Sequence, residues 1–386
     1  MGVEGKQVST RSETSPEVIV VGGGVIGTAI AYAFARRGIS CLVLERGIIG
    51  QGTSEASAGI VSPPSTSAIP AERLELARRS FQAYPWLVAA VQEDSGLDAG
   101  YRQWGELLVA ETEDEVIPLR ELAAWQASAG FESEWVDGKT AREIEPLLPE
   151  RIHGALLADE GGSLIVQRLV RALALAAASR GARVVERAPV TGFTVEGDRV
   201  VALETRQGRY VTGQVVLAAG AWTGHLAGQL GRTLPTLPVK GQMTLISGGA
   251  TVLRHVLGSA DGAGYLAPRT DGLIWAGGTK ERGEWDTRVT PAGIAHCLRL
   301  VERLAPTLLE GELVALGAGL RPGTPDGEPI IGPLPGYSNV WVATGHYRTG
   351  VQLAPATADL VVEGMLCGEP DPLLAPFSPA RFVQAQ

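Results

Sequence analysis

The chain has 386 residues, 45% of them hydrophobic and 19% charged, with a formal net charge of −9. It exceeds the usual one-domain length, so two globular domains with sizeable cores are expected. An acidic balance without any Lys/Arg-rich block excludes a nucleic-acid-binding surface.

The first sixteen residues, Met1 to Pro16, are polar and lack the apolar core of a signal peptide. The longest apolar stretches, such as ALALAAAS at 172–179, are too short to span a bilayer. A cytoplasmic protein with a frayed amino-terminal tail and no membrane partner is expected. Cys41, Cys297 and Cys367 are odd in number and far apart, which fits reduced thiols. The five histidines are scattered, with no HxxxH and no CxxC, so no metal site is expected.

The stretch EVIVVGGGVIGTAIAYAFARRGISCLVLER reads as a strand from about Val18, a glycine turn, a helix through Arg37 ended by Gly38, and a strand from Ser40 to Glu45. Gly22, Gly24 and Gly27 fill the G-x-G-x-x-G pattern: tight turn, backbone approach to a pyrophosphate, and close packing of helix on strand. The helix N-terminus supplies N–H groups for phosphates. Glu45 ends the second strand, where a carboxylate accepts hydrogen bonds from a ribose diol and repels a 2′-phosphate. FAD and NAD both use this unit. The next segment, GIIGQGTSEASAGIVSPP, offers hydroxyls and bare backbone at Thr53, Ser54, Ser57 and Gly59 where a plain NAD domain would go on to another βα unit.

Helical patterns follow at Glu72 to Glu93 and at 112–130, the second after the strand-like ELLVAET. Arg151 to Asp159 and Gly181 to Glu186 read as extended, with a helix from Ser163 to Arg180 between them. Short strands with turns at EGD and RQG lead to VVLAAGAWTG at 215–224, a buried strand suited to a parallel sheet against a cofactor. Strands and turns alternate from Leu237 to Gly278. A helix opens at Pro291, and ELVALGAGLRPGTPDGEPIIGP forms another strand. Near the end, ATGHYRTGVQLAP places Arg348 between Gly345 and Gly350, after an apolar strand and before a helix. The nucleotide-like pieces lie at the start, middle and end of the chain. The expected architecture is therefore α/β: a discontinuous Rossmann-like domain (1–90, 160–228 and 318–386), with a substrate domain (91–159 and 229–317) built on a mostly antiparallel sheet.

In this order, VVGGGVIGTAIAYAFARRG, LER with its G-x-x-x-x-G-T-S and ASAGI, VVLAAGAWTG, PVKGQM, GYLAPRTDG, GAGLRPGTPDGEPIIG and GHYRTGVQLAPATA resemble the D-amino-acid oxidase family of flavoproteins, and more narrowly its glycine oxidases. The resemblance covers nearly the whole chain. It implies non-covalent FAD and oxidation of a small amino acid or amine to the imino form, with O2 reduced to peroxide; glycine would give glyoxylate and ammonia, and the alternatives are a sarcosine or D-proline oxidase, a D-amino-acid dehydrogenase with an acceptor other than O2, and a non-catalytic flavin-binding sensor. A link to thiamine thiazole synthesis and a homo-oligomer, a tetramer in the family, are also implied. No cysteine falls near GAGLRPGTP, where related sarcosine oxidases tether FAD.

By the same resemblance, Arg321 matches the arginine that clamps the substrate carboxylate, and Tyr265 the phenol that donates a second hydrogen bond to it. Arg348 matches the second active-site arginine, beside flavin and substrate. A planar guanidinium grips a carboxylate bidentately at any working pH. Cofactor contacts are implied for Gly22, Gly24, Val25, Ile26 and Gly27, for Glu45 and Arg46, and for Thr53, Ser54, Ala58, Gly59 and Ile60. Val190 would meet the adenine through its backbone, and Gly220 would lie against the cofactor. The turn His346, Tyr347, Arg348, Thr349, Gly350, Val351 and Gln352 would turn its N–H groups toward the flavin's pyrimidine edge. The family's direct hydride transfer from a neutral amine needs no obligate base, so His346 is expected as a backbone contact. Lys280 stands where some glycine oxidases carry methionine, and either alters the substrate preference or points to solvent.

Overall fold

The protein is described here from a computed structural model covering residues 15–382. The expected frayed tail lies almost wholly outside these residues. β1 (Val18–Val21) feeds α1 (Val25–Arg36), and Gly38, at φ 75°, turns the chain into β2 (Cys41–Leu44). β3 (Ile60–Val61) precedes the long α2 (Ala71–Ser95), ended by Gly96 in the left-handed region. β4 (Glu106–Ala110), α3 (Val116–Ser128), β5 (Ser133–Asp137), α4 (Gly138–Ile144) and β6 (Gly154–Ala158) come next. β7 (Gly162–Ser163), α5 (Val166–Ser179) and β8 (Arg183–Val185) lead to a meander of β9 (Val190–Glu196), β10 (Arg199–Thr205) and β11 (Gly208–Val211). β12 (Gln214–Leu217) and α6 (Thr223–Gln229) are followed by β13 (Leu237–Ser247), β14 (Val256–Ser259), β15 (Tyr265–Pro268), β16 (Leu273–Gly277) and β17 (Glu281–Arg282). α7 (Pro291–Leu304) carries proline in its first turn, with the Thr290 hydroxyl accepting from the Gly293 N–H. β18 (Glu312–Gly323), β19 (Ile330–Pro333), β20 (Val340–Thr344) and α8 (Gly350–Cys367) complete the order.

Two large sheets organise the molecule. The first has the order β19-β20-β12-β1-β2-β8 and is parallel except for the β19–β20 pair. β1, β2, β12 and β20 are nearly pure apolar runs because both faces are covered. Val18, Val20 and Val43 pack under α1, α2, α5 and α8, while Ile19, Val21, Leu42 and Leu44 pack against the meander and α6. The second sheet runs β17-β13-β16-β15-β14-β4-β6-β5, with β18 also on β13, and is antiparallel apart from β14–β4. α7 covers one side of it through Leu300, Val301 and Leu304. The mixed α/β fold with its parallel and antiparallel sheets is the expected one.

Two elements differ from expectation. Ser163 to Ile165 are not helical: Ser163 pairs with Ile60, and its hydroxyl donates to the Pro268 carbonyl at 2.6 Å, so α5 opens only at Val166. The segment read as one strand from Glu312 to Pro333 is two, β18 and β19, because Pro325 and Gly327 turn the chain and send the halves to different sheets. Among the described residues no helix is long and apolar enough to cross a membrane.

Candidate active site

A cavity of about 610 Å³ runs from the carboxyl ends of β1 and β2 to the face of the second sheet. That is the usual place for a ligand on an open α/β sheet. At its first end stands the glycine turn. A Cβ on Gly22, at φ 115°, would strike the Ala218 carbonyl, so only glycine lets β1 and β12 close here. Gly24, Val25 and Ile26 line the cavity at the N-terminus of α1. Gly27 does not line it; a Cβ there would run into the Gly22 carbonyl, so this residue serves the packing of helix on turn.

Glu45 binds both of its neighbouring loops: Oε2 accepts from the Gly23 N–H at 2.7 Å and Oε1 from the Gly47 N–H at 2.8 Å. The Arg46 guanidinium lies 3.5 Å from the centroid of the Trp222 ring, and both residues line the cavity. The Ser54 hydroxyl accepts from the Val25 N–H at 3.0 Å, and Thr53 donates to the Leu320 carbonyl at 2.5 Å, which ties this loop to β18. Ala58, Gly59, Ile60, Val190 and Gly220 line the same wall; Gly59, at φ 73°, passes so close to the Leu164 carbonyl that a side chain is excluded.

The turn before α8 closes the middle of the cavity with every residue from His346 to Gln352. Its N–H groups do not form the unbroken run that was expected. Tyr347 donates to the Pro322 carbonyl and Thr349 to the His346 carbonyl, each at 2.9 Å, because the turn must be tied to β18 and to itself. Gly350, Val351 and Gln352, in the first turn of α8, keep N–H groups without helical partners. Tyr347 sits at φ 49°, a conformation that costs a non-glycine residue energy. Burial pushes the His346 imidazole down to about 3, helped by the Arg73 charge; Nε2 lies 3.1 Å from the Thr357 hydroxyl and Nδ1 has no partner. A neutral, buried ring fits a cofactor-side role better than that of a base.

Arg321, Tyr265 and Arg348 meet at the far end, delivered by β18, β15 and the turn before α8. Arg321 lies flat over Gly241, whose missing side chain makes room for the guanidinium, and donates to the Thr279 carbonyl at 2.9 Å. Burial raises the Tyr265 phenol while the Arg321 and Arg348 charges oppose the shift, which sets all three in one electrostatic neighbourhood. Neither guanidinium has a carboxylate partner among the described residues. Lys280 is largely exposed and does not line the cavity; its ammonium donates to the Gly262 carbonyl at 2.8 Å, and partial loss of solvent with the Arg348 and Arg321 charges pushes its proton affinity down.

Several lining residues were not expected. Arg73 on α2 bridges Glu328 at 2.9 Å and the Thr349 hydroxyl at 2.7 Å, fixing the turn before α8 from behind. Ser62 accepts from Gln352 through its carbonyl at 2.5 Å. Glu106 and Leu108 reach the cavity from β4. Only Glu106 left a trace in the sequence: in the strand ELLVA it is the one charge before an otherwise apolar run.

The residues present fit FAD. A glycine turn at a helix N-terminus, a carboxylate at the end of β2, bare backbone at Gly59 and the free first-turn N–H groups of α8 form a dinucleotide cradle, whose walls close because Gly22 and Gly59 carry no Cβ to strike the carbonyls of Ala218 and Leu164. None of the three cysteines lines the cavity. Residues 17–364 match the family model described as FAD dependent oxidoreductase. The chain is 33% identical over 368 residues to a glycine oxidase of Geobacillus kaustophilus, covering 95% of this chain and 97% of that one. It is 36% identical over 370 residues to a glycine oxidase of Pseudomonas aeruginosa, covering 95% and 99%. A bifunctional ThiO/ThiG protein of Synechocystis is 33% identical, over 96% of this chain and 55% of its own length. The crystal structure of the Geobacillus kaustophilus glycine oxidase superposes with a TM-score of 0.89 at 32% identity, covering 96% and 99%. With its motifs, fold and cavity in agreement, the chain belongs to the DAO family of FAD-dependent oxidoreductases and is an amine-oxidising member of the glycine oxidase type.

Proposed function

We propose that the protein oxidatively deaminates glycine and other small amines, such as sarcosine and small D-amino acids, with O2 as acceptor. The products would be the 2-oxo acid, glyoxylate from glycine, with ammonia or an amine and H2O2. The observation that carries the reading is the pair of guanidiniums, Arg321 and Arg348, neither with a carboxylate partner among the described residues, converging with Tyr265 on one end of the cavity. FAD, when bound, supplies the acceptor for the two electrons that leave the substrate with its Cα hydrogen. Arg321 grips the substrate carboxylate through its planar fork, and Tyr265 donates a second bond to it. Arg348 adds positive charge where negative charge develops during the transfer. The Cα–H is thereby oriented, and the nearby walls of Leu108 and Ile60 keep water from the reacting carbon.

We also propose that the cofactor domain comprises 1–90, 160–228 and 318–386 and the substrate domain 91–159 and 229–317. The kinship with ThiO/ThiG proteins supports a supply role in thiamine thiazole synthesis; a cytoplasmic location and a homo-oligomer are proposed from the family resemblance alone. The test is the visible spectrum of the purified protein, followed by peroxide production in air with glycine, sarcosine, D-alanine and D-proline. Flavin bands with peroxide from glycine support the reading. Flavin bleached by substrate without peroxide replaces the oxidase by a dehydrogenase, and flavin that no small amine bleaches removes the substrate assignment.

A further inference from the structure

Glu106 stands on β4, two strands from Tyr265. The intervening strand carries Gly258, the register partner of both Tyr265 on β15 and Leu108 on β4. Because Gly258 has no side chain, Leu108 and Glu106 lean across it: a Cβ there would lie 2.8 Å from Leu108 Cδ1 and 3.6 Å from Glu106 Oε1. The Glu106 carboxyl therefore enters the cavity over Gly258, on the side where Tyr265 stands. It has no cationic partner within ion-pair distance among the described residues. Arg348 is the one charged group that bears on it; β14 and β6 present the neutral Gly258 and Ala158, and the loop before α2 presents the Ser62 hydroxyl. Burial pushes its carboxyl up to about 7, with Ser62 and Arg348 holding it back.

This arrangement complements the arginine end. A small amino acid reaches the site as a zwitterion, and its ammonium has no lone pair with which to expel a hydride from Cα. The Arg321 and Arg348 charges repel that ammonium, whereas a carboxylate on the face of the sheet where Tyr265 stands attracts it. We propose that Glu106 faces the amino group of the bound substrate and takes its proton. The N–H bond of the ammonium breaks, its electron pair stays on nitrogen, and the proton forms an O–H bond on Glu106. The neutral amine then has the lone pair that C–H cleavage requires, and once the product has left, Glu106 gives its proton to water entering the cavity, which restores the carboxylate for the next turnover.

The inference rests on the proposed function, and the experiment separates the two. Anaerobic reduction of the FAD-loaded protein by glycine is followed by stopped flow from pH 5.5 to 9.5. If Glu106 takes the proton, the second-order rate constant of the wild type rises with pH only to about 7 and then levels. Glu106→Gln is expected to be about 100-fold slower at pH 7.5, with a rate that climbs tenfold per pH unit toward the amine's own titration. Infrared difference spectra of the FAD-loaded proteins without substrate give a second readout: a protonated-carboxyl band that fades above pH 7 in the wild type and is missing in the variant. A wild-type rate that climbs past pH 8 without levelling overturns the inference even if the variant fails to fold, as does a variant with the wild-type profile. Flavin that no small amino acid reduces at any pH overturns the functional reading, and the inference with it.

Discussion

Gly27 and Gly22 face each other with no space between them: the first carbon of any side chain on Gly27 would fall on the Gly22 carbonyl oxygen. Gly27→Ala is therefore expected to force α1 away from the turn that holds the cofactor. Overpacking of this kind costs up to about 3 kcal/mol. The prediction is a protein that purifies with little FAD and a lowered Tm, checked by the ratio of flavin to protein absorbance and by a thermal scan. Full flavin content would show that the helix can shift without disturbing the cradle.

Glu45 ties the glycine turn to the loop after β2 through two backbone N–H groups. In Glu45→Gln one of these bonds becomes unfavourable, because an amide nitrogen would face an N–H. A hydrogen bond to a charged acceptor contributes roughly 1.5 to 3 kcal/mol, so FAD affinity should fall by about an order of magnitude or more. Titration of the cofactor-free protein with FAD, followed by flavin fluorescence, measures it.

Arg321→Lys keeps the charge over Gly241 but loses the planar fork, and Arg321→Ala loses both. KM for glycine should rise in each, by about 2 to 3 kcal/mol in transition-state stabilisation for the alanine variant. FAD content should stay unchanged, since the guanidinium lies at the substrate end of the cavity. Steady-state kinetics that match the wild type would remove Arg321 from the clamp.

His346 gives the protein an acid-sensitive point. Burial holds its folded-state proton affinity near pH 3, far below the ordinary histidine value near 6.5. Its contribution to stability is complete above about pH 6.5. As the pH falls from there toward 3, the unfolded chain binds a proton that the folded one refuses. Stability should then drop by up to about 1.4 kcal/mol per pH unit. His346→Gln should flatten the Tm against pH between 6 and 4, and an unaltered slope would assign the acid sensitivity to other groups.

Local sequence carried much of this site and left out the rest for physical reasons. The turn at Gly22 to Gly27 and the carboxylate at Glu45 could be read because a βαβ unit encodes its own geometry within about thirty residues. The place of Arg348 in the turn before α8 could be read because Gly345 and Gly350 flank it between an apolar strand and a helix, whereas its role beside the substrate came from the family resemblance alone. Ser163 was misread as helical because the apolar pattern of α5 runs on into a residue that pairs with Ile60, about a hundred positions earlier. The N–H groups of Tyr347 and Thr349 are spent on bonds to Pro322 and His346, and one of these partners arrives from another sheet. Glu106 needs β14 beside β4, a pairing across about 150 residues that no local pattern announces.

β1, among the first elements of the chain, lies between β2 and β12, and β12 in turn pairs with β20. On the ribosome, at about 5 to 20 residues per second, β1 waits some tens of seconds for the strand that completes its other edge. The turn that walls the middle of the cavity emerges later still, after β20. A nascent chain thus has half of its dinucleotide cradle long before it has a cavity. Tight retention of flavin becomes a sign that translation has passed α8, and chains stopped before α8 should be released colourless.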